Sequence, residues 1–305
     1  MTPKQRQRRY ALAGTLLLAV SFTAAAPPEG LSDKEEAGWY VLRAGACVAC
    51  HTAEYDGAPF LAGGRAVETP FGTFYGPNIT PDPNHGIGEW EREDLQRALT
   101  EGVDPEGRHY YPVFPYTSYA KMTDEDIDAL WAYLQTVEPV AKPNYRHEVA
   151  WPLSHRSLLA GWKALYFSPA AFEPDPERSE SWNRGAYLVQ ALGHCAECHT
   201  PRNLLGGPDH SRAFAGNPDA PGDTRPPNIT PHPEEGIGDW RERHIARYLG
   251  FGIRPDGDFA GGSMADFIDT GSSHLTDEDR RAIAEYILSL EPIPQAGSGG
   301  SDHGK

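Results

Sequence analysis

Basic residues are scarce in this chain: 27 Lys and Arg stand against 43 Asp and Glu in 305 residues, a formal charge of −16. A polyanion needs a cationic face, so no nucleic acid is expected as a partner. The acidity serves solubility, or it meets a basic patch on a partner protein. Long apolar runs are also missing, with one exception from Tyr10 to Ala26. That run follows Lys4, Arg6, Arg8 and Arg9, ends in small residues before Pro27 and Pro28, and reads as a signal peptide over residues 1–26. At about 17 residues it sits at the short limit for a membrane span, so an uncleaved N-terminal anchor is the alternative. Export to the periplasm is the expectation under the first reading. Only four Cys and three Met are present, and no segment alternates convincingly as a strand.

What the chain does contain is one unit written twice, at an offset of about 150 residues. Pro77-Asn78-Ile79-Thr80-Pro81, Gly86-Ile87-Gly88 and Trp90 return as Pro227-Asn228-Ile229-Thr230-Pro231, Gly236-Ile237-Gly238 and Trp240. Thr123-Asp124-Glu125-Asp126 returns as Thr276-Asp277-Glu278-Asp279. The repeat predicts two tandem domains, 27–142 and 179–293, joined by a linker over 143–178 and followed by a disordered tail over 294–305.

Each copy reads as mainly α. A first helix is expected over Asp33 to Gly45 and Ser181 to Gly193, a middle one over Glu91 to Thr100 and Arg241 to Leu249. A last helix is capped by Thr123 or Thr276, whose hydroxyl satisfies a free N–H while the acids of the first turn suit the helix dipole. In the linker, His155 to Phe167 is an amphipathic helix expected to pack between the domains.

All four cysteines fall in two copies of Cys-x-x-Cys-His: Cys47, Cys50 and His51, then Cys195, Cys198 and His199. This is the pattern of covalent haem attachment. Two thiols three residues apart add to the two vinyl groups of one porphyrin, and the adjacent histidine lies beneath the iron. A zinc site would need one Cys pair from each repeat and would ignore both histidines. A disulfide within each pair would leave the histidine without a role. The motifs therefore predict two covalently attached haem c groups with His51 and His199 as iron ligands. An axial histidine needs an acceptor on its other ring nitrogen. Pro77 and Pro227, in rigid turns about 30 residues downstream of the motifs, can offer their carbonyls. The alternative is that these are turns and nothing more.

Electron-transfer haems take a Met sulfur or a second His as sixth ligand. The second half offers Met264, expected on a loop before the last helix. The corresponding loop of the first half, Tyr110 to Tyr116, has neither residue, and Phe114 cannot bind iron. Met122 is one candidate, although its place before the Thr123 cap also suits a hydrophobic staple onto Ile127. His109 is the other, and otherwise the sixth position is open.

With these motifs and the Pro112-Val113-Phe114-Pro115-Tyr116 loop in view, both repeats resemble the cytochrome c subunits of bacterial membrane-associated alcohol, fructose and gluconate dehydrogenases. The resemblance implies class I cytochrome c-like domains and electron transfer from a dehydrogenase toward the respiratory chain. It also implies redox partner proteins as donor and acceptor, with peripheral membrane association through the complex. Those relatives typically carry three such domains, of which this chain resembles two. Many read Pro-Ala-Met-Pro-Tyr where Phe114 stands, so ligation of the first haem is not implied. Against a carrier stands the reading of a haem enzyme acting on peroxide or a small sulfur compound at haem 1. The Phe114 loop offers that reading no acid or base, and no spare Cys exists.

Overall fold

A computed structural model describes residues 26–220 and 225–295. The expected signal segment, apart from Ala26, and positions 296–305 of the expected tail lie outside the described residues.

The first half contains α1 (Asp33–Ala44), α2 (Cys47–His51), α3 (Arg92–Glu101), α4 (Tyr116–Tyr119) and α5 (Asp124–Leu134). The linker carries α6 (Leu159–Tyr166) after a short 3-10 turn. The second half repeats the order with α7 (Glu180–Tyr187), α8 (Cys195–His199), α9 (Glu242–Phe251), α10 (Gly262–Thr270) and α11 (Asp277–Leu288). The expectation of a mainly α protein with two tandem domains holds.

α1 starts at Ser32, whose backbone N–H donates to the Glu35 carboxylate at 2.7 Å while Glu35 N donates back to the Ser32 hydroxyl. This reciprocal cap satisfies donors that a helix start leaves free. Thr123 and Thr276 cap α5 and α11 as expected, each hydroxyl accepting from the backbone N–H three residues on. In both halves the first and last helices cross in close contact, α1 on α5 and α7 on α11. Glycine makes the approach possible: a Cβ on Gly38 would lie 1.9 Å from the Ala129 carbonyl oxygen, and one on Gly185 1.9 Å from that of Ala282. Leu42, Ile127 and Leu134 are fully buried around the first crossing, and Leu188, Val189 and Leu192 fill the second half's interior.

Three details differ from expectation. A small antiparallel sheet, β1 (Ala66–Thr69), β2 (Gly72–Tyr75) and β3 (Glu148–Val149), joins a hairpin of the first half to a piece of the linker. Strands of four and two residues are too short for an alternation to register. The α7 helix gives way to a π-helical turn at Leu188–Leu192 rather than running on to Gly193. Met264 lies in the first turn of α10, not on a loop, because the run Met264 to Ile268 supplies enough apolar surface for a helix to pack.

The two halves clasp each other about an approximate two-fold. The Tyr40 hydroxyl donates to Asp279 at 2.6 Å and accepts from Thr276 N at 3.1 Å. Its counterpart Tyr187 donates to Asp126 at 2.5 Å and accepts from Thr123 N at 3.2 Å. Each tyrosine thus grips the cap of the other domain's last helix. The linker helix touches both halves, as expected. Lys163 donates to the Glu101 and Gly102 carbonyls of the first half, while the Trp162 indole N–H donates to the Leu205 carbonyl of the second at 3.0 Å.

Candidate functional site

Each Cys motif forms a single helical turn entered through a residue in the left-handed region, Ala46 at φ 50° and His194 at φ 39°. Such a conformation costs a non-glycine residue about 1–3 kcal/mol and persists only where neighbours over-determine it. Here the bonds Ala46 N to Arg43 O and Ala49 N to Ala46 O hold one turn, and Glu197 N to His194 O holds the other. The repetition of the strained residue points to a shared requirement for aiming the motif.

The histidines are fixed in the same way in both halves. His51 Nδ1 lies 2.7 Å from the Pro77 carbonyl oxygen, and His199 Nδ1 2.7 Å from that of Pro227. A carbonyl oxygen only accepts, so Nδ1 carries the proton and Nε2 presents its lone pair away from the turn. That is the tautomer a metal-ligating imidazole needs, with its orientation set by the second bond. Burial lowers the pKa of both rings, against the opposing effect of the proline bond, and this favours the neutral form that binds metal.

The proline turns are held in turn by asparagines that sequence reasoning passed over. The Asn78 carboxamide oxygen accepts from the N–H and hydroxyl of Thr80, and its NH2 donates to Val140 O at 2.8 Å. Asn228 does the same with Thr230 and Ile293 O. Both asparagines stood in the repeated Pro-Asn-Ile-Thr signature, where an asparagine that binds its own backbone two residues on is an available signal. Behind the turn, a Cβ on Gly76 would lie 1.7 Å from the Cys50 carbonyl oxygen. The turn therefore sits directly against the Cys motif.

Cys47 and Cys195 are half-buried, and Cys50 and Cys198 lie exposed. Burial pushes the Cys47 and Cys195 thiols up to about 12. None of the four is in a disulfide, and among the described residues no three His, Cys, Asp or Glu converge as a metal-binding group. Each Cys pair shares one helical turn with its own histidine, as porphyrin attachment requires. The donor set fits haem c: two thiols and a correctly protonated imidazole, with Cys47 and Cys195 packed against the apolar core.

At the candidate sixth-ligand residues the halves diverge. Met264 is half-buried against the core of the second half. In the first half Phe114 packs among Tyr110, Tyr116 and Tyr119, with ring centroids 5.4–6.5 Å apart. Met122 is buried in the core, as is its counterpart Leu275. His109 is engaged from the linker: its Nδ1 lies 3.0 Å from the Lys163 ammonium, which also donates to Glu101 O at 2.6 Å and Gly102 O at 2.7 Å. An ammonium only donates, so His109 Nδ1 accepts and Nε2 carries the proton. In this arrangement neither ring nitrogen is free for iron.

Residues 36–138 and 183–291 each match the family model described as Cytochrome c. A diheme cytochrome c-type protein of Cereibacter sphaeroides is 46% identical over 268 residues, covering 87% of this chain and 88% of that protein. The fructose dehydrogenase cytochrome subunit of Gluconobacter japonicus is 40% identical over 85% of this chain and 53% of its own length. The gluconate 2-dehydrogenase cytochrome c subunit of Pantoea cypripedii is 40% identical over 90% of this chain and 64% of its own length. The chain thus spans most of the first relative, about half of the second and somewhat under two thirds of the third. Two matched domains, two Cys-x-x-Cys-His turns with proline-fixed histidines and a diheme relative along nearly the whole chain agree, and the protein belongs to the cytochrome c family with two covalently bound haem c groups.

Proposed function

We propose that this chain is a periplasmic electron carrier that takes electrons from a dehydrogenase partner and passes them toward the respiratory chain. In this reading Cys47, Cys50 and His51 hold one haem, and Cys195, Cys198 and His199 the other, within domains spanning 27–142 and 179–293. When bound, each haem supplies a one-electron ferric/ferrous couple. The single observation that carries the reading is the pair of imidazoles, each held by a proline carbonyl at 2.7 Å with Nε2 left free to ligate.

The protein's own groups then set the redox chemistry. The Pro77 and Pro227 carbonyls strengthen the basicity of the histidines and keep them from rotating. The four cysteines would hold the haems through thioether bonds, which would keep them from dissociating. Met264 is the residue that would offer a sulfur to the second haem. For the first haem, Met122 is the only thioether of its domain, and His109 is occupied by Lys163. Met122 would serve the first haem as sixth ligand, or the position would stay open. Axial-ligand identity moves haem potentials over roughly 0.8 V, so unlike ligands separate the two potentials and give the carrier an entry and an exit site.

Partner identity follows the relatives by name: cytochrome subunits of alcohol, fructose and gluconate dehydrogenases support a dehydrogenase as donor. Among the described residues no helix is long and apolar enough to cross a membrane. In this reading, association with a membrane is peripheral and comes through the complex. The test is a stepwise reductive titration of protein purified with its haems, together with intact mass. Two haem additions and two resolved one-electron waves are expected. Fewer than two additions, or two indistinguishable and uncoupled waves, would sink the relay. The second reading, a haem enzyme, requires an open sixth position at the first haem, and rapid binding of carbon monoxide or cyanide there discriminates it from a carrier.

A further inference from the structure

Glu197 lies inside the second Cys motif, between Cys195 and Cys198, at the place where the first motif has Ala49. Its side chain is only 18% exposed, yet its partners come from both domains. One oxygen accepts from the Thr117 and Ser118 hydroxyls of α4, the short helix that continues directly from the Phe114 loop of the first domain. The other is paired with Arg202, which also donates to the Glu197 backbone carbonyl at 2.9 Å and to Gly206 O at 2.8 Å. A residue further along α4, Tyr119, runs back to the first motif: its hydroxyl donates to Gly45 O at 2.7 Å, and its ring meets His194, the residue before Cys195, at 5.6 Å. The Phe114 loop of one domain and the attachment turn of the other are thus tied together at a single carboxylate. The two-fold relation breaks here. At the related place Asp266 of α10 binds Arg65 at 2.8 Å, so the acid comes from the helix and not from the Cys motif.

We propose that Glu197 is a positioning residue that couples the two haem sites, fixing α4 of the first domain on the second Cys motif and holding the reduction potential down through its partly buried charge. This rests on the haem assignment above. A ferric site carries one more positive charge than a ferrous one, so a nearby carboxylate in a poorly screened setting stabilises the oxidised form. Arg202 offsets part of that field. Replacing Glu197 by Gln keeps the shape and the acceptor oxygen but leaves Arg202 unopposed, and both changes favour reduction.

The test is a spectroelectrochemical titration of the dihaem protein, comparing wild type, Glu197→Gln and a Thr117→Val, Ser118→Ala double variant. For Glu197→Gln at least one wave is expected to move positive by a tenfold change in its equilibrium constant, about 59 mV for one electron. The double variant keeps the charge but cuts the link to α4, and it is expected to change the separation between the two waves. Unchanged circular dichroism in either variant excludes loss of fold as the cause. Should both waves stay within a twofold change in both variants, Glu197 couples nothing. A wild type without two haem waves would instead defeat the carrier reading on which this builds.

Discussion

Removing one hydroxyl from each side of the domain interface is the perturbation that best tests the architecture. Tyr40→Phe deletes a 2.6 Å bond to the Asp279 carboxylate and the acceptor for Thr276 N, and Tyr187→Phe deletes the matching pair on Asp126 and Thr123. A hydrogen bond to a charged group contributes about 1.5–3 kcal/mol. Asp279 retains Arg184 at 2.7 Å, which places Tyr40→Phe toward the lower end of that range. The double variant is expected to lose roughly the sum, provided the two clasps act independently. Guanidinium unfolding of the dihaem protein, read by far-ultraviolet circular dichroism and by haem absorption, measures it. Weakening the clasp should lower the midpoint of one cooperative transition, because the buried apolar residues of both halves form a single continuous cluster. The interface also carries a pH signature. Burial, followed by the bond to Asp279, raises Tyr40 to about 12, above its ordinary 10. A raised value means the stabilisation is complete below pH 10 and is lost as pH climbs through 10 to 12. Loss of less than about 0.5 kcal/mol in the double variant, within the range of ordinary surface substitutions, would show that the clasps are not what holds the halves together.

Gly38→Val should be among the most damaging single changes outside the haem sites, since its side chain would collide with the Ala129 carbonyl. Overpacking typically costs about 1–3 kcal/mol and occasionally more, read as a drop in the unfolding midpoint. A Cys195→Ala, Cys198→Ala variant is expected to lose one haem by intact mass and to retain the other, and retention of two would refute the assignment of that pair. Met264→Ala should convert the second haem from low to high spin in its optical spectrum and open it to carbon monoxide. An unaltered spectrum would remove Met264 from the iron. At acid pH the Asp279 contact should weaken. Burial alone would raise this carboxyl, but the bonds from Arg184 and Tyr40 outweigh it and hold it below the ordinary value. Its stabilisation is present above the usual carboxylate range and disappears as pH falls through the lowered value, which Tyr40→Phe should partly abolish.

The haem motifs were legible in the sequence because covalent chemistry fixes their spacing, and the histidine acceptors because Pro77 and Pro227 recur at the same place in both repeats. The helix caps at Thr123 and Thr276 were legible for a local reason: cap and partner lie three residues apart. What escaped was non-local. Tyr40 and Asp279 are 239 positions apart, and no periodicity announces that a tyrosine in one helix will grip the cap of another domain. Glu197 read only as a variable position inside a motif, since its partners Thr117 and Ser118 belong to the other repeat. The strands of the small sheet are too short to leave a pattern, and α10 was hidden by the glycines that precede Met264.

The segment between the domains is a brace. Lys163 is nailed to two carbonyls of one domain, and the adjacent Trp162 to a carbonyl of the other, so the stretch between the repeats is pinned to both domains at its middle. A tether of similar length would let two redox groups wander and would make their exchange depend on chance encounter. With the brace in place their separation is set once, at folding, and traffic between them should run at a rate indifferent to solvent viscosity.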